Sequence, residues 1–295
     1  MTKVLILGGD GMLGHKAYQV FSKEFDTYAT FLDFNDRLEQ TNIFNKNRIF
    51  NNVNAFDFDS IGKAFTISKP DFIFNCIGII KQLKESKNHK TSIYINSLLP
   101  HLLADLCDKE NSKLIHISTD CIFSGKIGNN KENDFSDAED LYGKTKYLGE
   151  VNYGKSLTVR TSIIGHELFS NLSLVDWFLS QKNKVVYGYT NAIYTGFPTV
   201  VFCNETKRII KDYPKLSGLY NLSSGLISKY DLLNIINDVY QLNVEIIPND
   251  DYFCDRSIDS TKYKELTHFT TATWNILIKE MYNDYIITNY TELKK

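Results

Sequence analysis

The chain has 295 residues, and 33 Lys and Arg against 35 Asp and Glu leave a formal charge of −2, which argues against a nucleic-acid surface. An apolar content of 43% suits a soluble globular protein with one large core or two coupled domains, and no apolar run approaches a membrane span. The five cysteines are scattered without a Cys-x-x-Cys, and the six histidines lack metal-ligand spacing, so neither a disulfide frame nor a metal site is expected.

In chain order, Lys3 to Leu7 is a short apolar run of the kind found in buried parallel strands. Gly8-Gly9-Asp10-Gly11-Met12-Leu13-Gly14 follows at once, and Met12 to Phe25 reads as an amphipathic helix. Gly8, Gly11 and Gly14 have the Gly-x-x-Gly-x-x-Gly spacing of a turn whose backbone approaches a pyrophosphate at a helix N-terminus. A Gly-rich turn without a ligand is the alternative, and the position between strand and helix favours the dinucleotide.

Thr27 to Leu32 then reads as the second strand and Asn52 to Phe56 as the third. Asp59 to Ser68 forms a helix and Asp71 to Cys76 the fourth strand. Ile93 to Lys109 is a long helix in which Pro100 belongs to the first turn or to a kink. Lys113 to Ser118 is the fifth strand, Lys126 to Asp140 a surface loop, Leu141 to Tyr153 a helix and Leu157 to Ile163 the sixth strand. This alternation gives an α/β chain with a Rossmann-type doubly wound parallel sheet. Ligands then bind beyond the carboxyl ends of the strands, where Gly14, Asn75, Thr119 and Arg160-Thr161-Ser162 fall.

After Gly165 the pattern loosens. Leu174 to Lys182 and Val200 to Tyr213 read as helices and Gly218 to Leu222 as a strand. Ser228-Lys229-Tyr230-Asp231 starts a helix through Tyr240, Val244 to Ile247 is strand-like, and Thr273 to Tyr285 is a final helix. The expected organisation is a nucleotide-binding domain over residues 1–165 and a smaller α/β substrate lobe over 166–295, with some segments returning to the first domain.

The pair Tyr142 and Lys146 carries the chemistry. They are i and i+4 on a helix, so both side chains share one face. A free tyrosine titrates near 10, and a lysine one turn away favours its phenolate and brings it toward the working range. Thr119 could hydrogen-bond the same substrate oxygen. That apparatus moves a proton to or from a carbonyl oxygen while hydride moves at its carbon.

These residues resemble the extended short-chain dehydrogenase/reductase family, and within it the reductases of the dTDP-4-dehydrorhamnose type, which act on nucleotide-linked 4-keto-6-deoxy sugars. The resemblance rests on Gly8 to Gly14, on His116-Ile117-Ser118-Thr119-Asp120-Cys121-Ile122-Phe123-Ser124-Gly125, on Tyr142-Gly143-Lys144-Thr145-Lys146-Tyr147-Leu148-Gly149-Glu150 and on Arg160-Thr161-Ser162. It implies that Thr119 binds the substrate oxygen, that Tyr142 donates the proton, and that Lys146 holds the nicotinamide ribose and tunes Tyr142. NADPH or NADH is the implied cofactor. Its contacts are expected from Gly8, Gly11, Met12, Leu13 and Gly14, from Asp33 and Arg37, from Asp57 and Phe58, and from Asn75, Ile77, Gly78, Asn96, Tyr142, Lys146 and Thr161. Asn96 resembles the family's helix asparagine, which supports the lysine through water. Asp57 either accepts from the adenine amine or caps the next helix. Asp33, 19 residues past Gly14 (33 − 14), suits an unphosphorylated ribose, whereas Arg37 could reach a 2′-phosphate.

Substrate contacts are expected from Lys81, Thr119, Asp120, Cys121, Tyr142, Asn191 and Arg256. The loops Gly78 to Lys84 and Gly188 to Gly196 differ from the rhamnose reductase pattern and should line the sugar site. They leave dTDP-4-dehydrorhamnose and a UDP-linked 2-acetamido-4-keto-6-deoxy sugar both open. A 4,6-dehydratase would place Asp-Glu after the threonine, and here Asp120 is followed by Cys121. A combined epimerase/reductase could use Cys121 as a base, but its partner histidine is missing from Asn171 to Gln181. A non-catalytic dinucleotide-binding regulatory subunit is the other alternative. The expected partner is a nucleotide sugar, with no nucleic acid and no membrane, and with a homodimer left open. The N-terminus lacks a basic stretch followed by an h-region, so the cytoplasm is the expected location.

Overall fold

The computed structural model describes residues 1–294 except Leu83, with Lys84 described by its backbone alone. Leu83, expected in a loop lining the sugar site, thus lies outside the described residues. Strand β1 (Lys3–Leu7) is fully buried from Val4 onward, as an apolar run between two parallel neighbours requires. It pairs in parallel with β2 (Asp26–Thr30) on one side and β4 (Phe72–Asn75) on the other. Strands β3 (Ile49–Phe50), β5 (Lys113–Thr119), β6 (Leu157–Thr161) and β11 (Gly218–Asn221) complete a seven-stranded sheet in the order β11-β6-β5-β4-β1-β2-β3. The Rossmann-type α/β class expected from the sequence is the one observed.

Period two along β4 explains the double winding. Phe74 faces helix α1 (Met12–Phe21), where it meets Phe21 edge-on at 5.3 Å. Ile73 points the other way, into a core with Ile61 and Phe65 of α3 (Phe58–Ser68) and Leu99 and Leu103 of α5 (Leu99–Lys109). The short helix α2 (Asp36–Gln40) follows β2 and begins at Asn35, whose side chain accepts from the Leu38 N–H.

Several expected boundaries move, each for a local reason. Helix α1 stops at Phe21, because Phe25 and Glu24 turn back onto the Phe21 carbonyl. The third strand is not Asn52 to Phe56 but Ile49–Phe50: Asn52 has φ +58, a left-handed conformation no strand accommodates. The long helix expected from Ile93 is composite, with α4 (His89–Ser92), a π-helical stretch over Ile93–Leu98, and then α5. Pro100 sits in the first turn of α5, where its missing N–H costs nothing. Helix α6 (Leu141–Leu148) ends before Gly149 instead of reaching Tyr153. The sixth strand breaks at Ser162, after which β7 (Ile163–Ile164) pairs with β10 (Phe197–Pro198).

Beyond β7, α7 (Leu174–Leu179) is shorter than expected and α8 (Thr199–Asp212) starts one residue earlier. Strands β8 (Val185–Tyr189) and β13 (Glu245–Asn249) form a parallel pair. A three-stranded sheet has the order β12 (Ile227–Ser228), β9 (Ala192–Tyr194), β14 (Cys254–Asp255). Helices α9 (Lys229–Tyr240) and α11 (Trp274–Thr288) share a core with α7 built on Phe178, Leu232, Ile236, Leu277 and Ile278. Helices α10 (Thr261–Thr267) and α12 (Tyr290–Leu293) complete the chain.

The chain forms two compact units. The first comprises residues 1–118, 140–159 and 203–219, and the second residues 119–139, 160–202 and 220–295. No helix of the described residues is long and apolar enough to cross a membrane.

Candidate active site

In the first unit, the turn from β1 into α1 has the shape a diphosphate needs. Gly8 has φ +81, and a Cβ on Gly14 would lie 1.9 Å from the Gly8 carbonyl oxygen, so neither position accepts a side chain. Gly11 is the N-cap of α1 and supplies no side-chain cap, and the first turn holds no acidic residue. A Cβ on Gly11 would meet only Gly8 O, at 3.7 Å. The start of α1, with Met12 and Leu13 in its first turn, therefore presents backbone and open space to an anion. These residues fit a dinucleotide.

The residues expected to meet the adenosine lie mostly at the surface. Asp33 is exposed and accepts from Asn35 Nδ2 at 3.3 Å, and Arg37 lies exposed on α2. Asp57 occupies the N-cap of α3 but makes no side-chain cap hydrogen bond, so the capping role is not the one it plays. Phe58 opens α3 beside it.

After β4, the backbone is pinned by two buried asparagines. Asn75 Oδ1 accepts from Ile77 N at 3.1 Å. Asn96, on the π-helical stretch, accepts from Ile79 N (2.9 Å) and donates to Ile79 O (3.0 Å) and Thr145 Oγ1 (3.3 Å). Its side chain is thus a brace joining the turn after Gly78 to α6. Lys81 pairs with Asp140 at 2.7 Å and lies 5.5 Å from the Tyr142 ring centroid. Asp140 in turn caps α6 by accepting from Gly143 N at 2.8 Å, so one carboxylate starts the helix and holds Lys81 over Tyr142.

Lys146, one turn after Tyr142, is buried, and its Nζ donates to Ile117 O at 2.7 Å. Burial brings its amine down to about 8, against the opposing pull of Glu150. Its Nζ is also 3.4 Å from His116 Nε2, and His116 Nδ1 is 3.2 Å from Asn75 Nδ2. Burial, and after it the charge of Lys146 and His101, push His116 well below the usual imidazole range, so it is neutral. Ser118, two residues along β5 and on the same face, donates to Glu150 at 2.6 Å. Two strand positions thus grip two positions at the end of α6 and just beyond it.

In the second unit, Thr119 ends β5 with its hydroxyl 3.2 Å from Asp120 Oδ1 and accepting from Cys121 N at 3.1 Å. Asp120 is buried, which raises its carboxyl, and Lys229 and Arg256 oppose that rise. Arg256 is fixed by donating to Phe123 O (2.8 Å) and Ser124 O (3.2 Å). Lys229 opens α9 with its ammonium 4.0 Å over the Tyr194 ring, and burial brings it down to about 8. Cys121 is half-buried near both cations. Thr161 is buried with its hydroxyl on Ser162 O, whereas Asn191 is exposed and donates to Asp250 O. Among the described residues no cluster of His, Cys, Asp and Glu could hold a metal ion.

Residues 1–286 match the family model described as the RmlD substrate binding domain. The chain belongs to that family. It is similar to the dTDP-4-dehydrorhamnose reductase of Aggregatibacter actinomycetemcomitans, at 26% identity over 261 residues, or 84% of this chain and 83% of that one. Its fold is similar to dTDP-4-dehydrorhamnose reductase from Bacillus anthracis str. Ames, solved in complex with NADP (TM-score 0.78, 20% identity, 96% of this chain and 99% of that one). It is also similar to the Bordetella bronchiseptica enzyme WbmG, solved in complex with NAD and UDP (TM-score 0.75, 14% identity, 98% and 96% covered).

Within this RmlD-family chain, two residues of the site escape sequence reasoning. His116 stands in the motif that ends β5, but its reach to Lys146 depends on the register of β5 against α6. Lys229 lies 110 positions from Thr119 (229 − 119), and only the tertiary fold brings it to Asp120. The first had a signal in the strand's period of two; the second had none.

Proposed function

We propose that the protein reduces the 4-keto group of a nucleotide-activated 4-keto-6-deoxy hexose with NADPH or NADH, in the cytoplasm, toward a deoxysugar donor for polysaccharide assembly. The observation that carries this is the Lys146 amine, buried and pinned one turn after Tyr142, in a chain matched by the RmlD model almost throughout. The names of its relatives support the sugar class. When bound, the reduced nicotinamide supplies hydride to the carbonyl carbon.

The protein's own groups do the rest. The Gly8 to Gly14 turn and the start of α1 hold the diphosphate, and Asp57 and Phe58 are assigned to the adenosine end. Lys146 holds the nicotinamide ribose and keeps a cation beside the phenol of Tyr142. Tyr142 donates its proton to the substrate oxygen as that oxygen gains charge, and Thr119 hydrogen-bonds the same atom. Asp120 and Arg256, fixed to each other's neighbourhood in the second unit, are assigned to the sugar hydroxyls, with Lys81, Cys121 and Asn191 at the edges of the substrate.

The test offers dTDP-4-dehydrorhamnose and a UDP-2-acetamido-4-keto-6-deoxy hexose in parallel, each made in situ, and follows the oxidation of NADPH or NADH by the loss of its near-ultraviolet absorbance. Turnover with one of them supports the reading and names the sugar. Cofactor binding without turnover of either supports a regulatory, non-catalytic role instead.

A further inference from the structure

The contacts behind Lys146 fix more than its position. Asn75 Oδ1 must be the atom facing Ile77, because a backbone N–H can only donate to oxygen (3.1 Å). The Asn75 amide nitrogen therefore faces His116 Nδ1 at 3.2 Å, so Nδ1 accepts. Asn75 and His116 are each about 1% exposed, so no solvent competes for these contacts. A neutral imidazole that accepts at Nδ1 carries its hydrogen on Nε2. That N–H points at Lys146 Nζ, 3.4 Å away.

An ammonium has three hydrogens and no lone pair, so an N–H aimed at it is a donor meeting a donor. An amine has a lone pair and accepts. Resting on the reductase reading above, we propose that Asn75 and His116 are positioning residues: Asn75 sets the tautomer of His116, and the His116 Nε2–H loosens the hold of Lys146 on its proton, so that these two side chains set the pH at which the cation beside Tyr142 is lost. The depressed Lys146 value of about 8 agrees with this arrangement.

The consequence is the pH range over which Lys146 is charged. As an ammonium it donates to Ile117 O and favours the phenolate of Tyr142; as an amine it keeps one N–H on Ile117 O and accepts from His116 Nε2–H. A lysine at its ordinary value of about 10.4 would stay charged well above neutral pH, whereas this one loses its charge near 8. The other titratable groups acting here are Glu150, just past the end of α6, which raises Lys146, and His101 on α5, which acts on His116.

The test reads Lys146 directly in the cofactor-free protein. The Cε resonance of ¹³C-labelled lysine is titrated and assigned by its loss in Lys146→Met. Native protein should titrate near 8. His116→Phe removes the N–H without adding charge, and the midpoint should rise by about one pH unit. Asn75→Leu keeps the approximate volume and removes, without adding charge, the amide that holds Nδ1 as an acceptor, so the hydrogen can move to Nδ1 and Nε2 can accept from the ammonium. It should also raise the midpoint and keeps the test open should the Phe variant fail to fold. The alkaline limb of kcat should move up with the midpoint in either variant. A ring that merely fills space predicts no change or a fall, and an unmoved midpoint in the folded variants overturns the proposal. Tyr142→Phe separates this from the parent reading: its normal turnover would defeat the reductase assignment, while an unmoved Lys146 midpoint in the His116 and Asn75 variants beside an inactive Tyr142→Phe defeats only the positioning role.

Discussion

At the scale of single residues, distinct side chains should show distinct losses. Tyr142→Phe keeps the ring and its place under Lys81 but removes the proton donor, so turnover should fall by roughly two to four orders of magnitude with cofactor affinity little changed. Lys146→Met should lower both turnover and cofactor affinity, because Lys146 is assigned to both; steady-state kinetics with fluorescence titration of the nicotinamide separates the two effects. Gly11→Val is the complementary case. Gly11 has φ −67 and ψ 162, which valine tolerates, and its Cβ would meet only Gly8 O at 3.7 Å. The fold should survive while the branched side chain fills the space a diphosphate needs. Equal cofactor affinity in this variant and native protein would remove the assignment of that turn. Gly11 shows why the sequence is informative here: a short glycine spacing between a strand and a helix has few other uses.

At the scale of elements, the register of α6 against its neighbours decides the site. Ser97 Oγ donates to Thr145 O at 2.8 Å, Asn96 reaches Thr145 Oγ1, and a Cβ on Gly149 would lie 1.9 Å from Asn96 O. That last contact is backbone and cannot swing away, so Gly149→Ala should cost about 2–3 kcal/mol in denaturant unfolding. Unchanged stability would mean that α6 and the π-helical stretch are not packed as described. The strand–helix alternation, the strand ends and the Tyr142–Lys146 pair are all legible in the sequence, because each is written in a local period. The π-helical stretch at Ile93–Leu98 is not, since a widened turn leaves no composition signal and only Pro100 marks the place. The third strand is misplaced for a related reason. The polar pair Asn51-Asn52 argues against a strand there, yet Val53, Ala55 and Phe56 supply an apolar pattern, and the left-handed Asn52 is visible only in the backbone. The cluster of Asp120, Lys229 and Arg256 joins segments far apart in the chain, and no local pattern encodes such a meeting.

At the scale of the whole molecule, two buried neutral histidines tie stability to pH. His116 and His166 are both held below the ordinary imidazole value, each chiefly by burial; at His166 the hydrogen bond and charge of Asp176 (2.8 Å) oppose that burial, and Nε2 meets the Tyr240 hydroxyl at 2.8 Å. Well above a pH of about 6.5 both states are neutral at these sites and nothing is lost. As pH falls through the unfolded value of about 6.5, the unfolded chain gains protons that the folded chain does not, and stability drops by up to about 1.4 kcal/mol per pH unit for each histidine. Denaturant midpoints at about pH 7.5 and about pH 5.5, on either side of that value, check this; an unchanged midpoint would mean the histidines are not neutral and buried as described. The proposed reaction itself delivers hydride from NADPH or NADH to the 4-keto carbon of a nucleotide sugar. The most direct measurement uses NADPH or NADH deuterated at the transferring C4 position and reads the sugar product by mass spectrometry and NMR. The expected result is one deuterium per product, bonded to sugar C4, lost in Tyr142→Phe. A product without that label, or none formed while the cofactor binds, would contradict it.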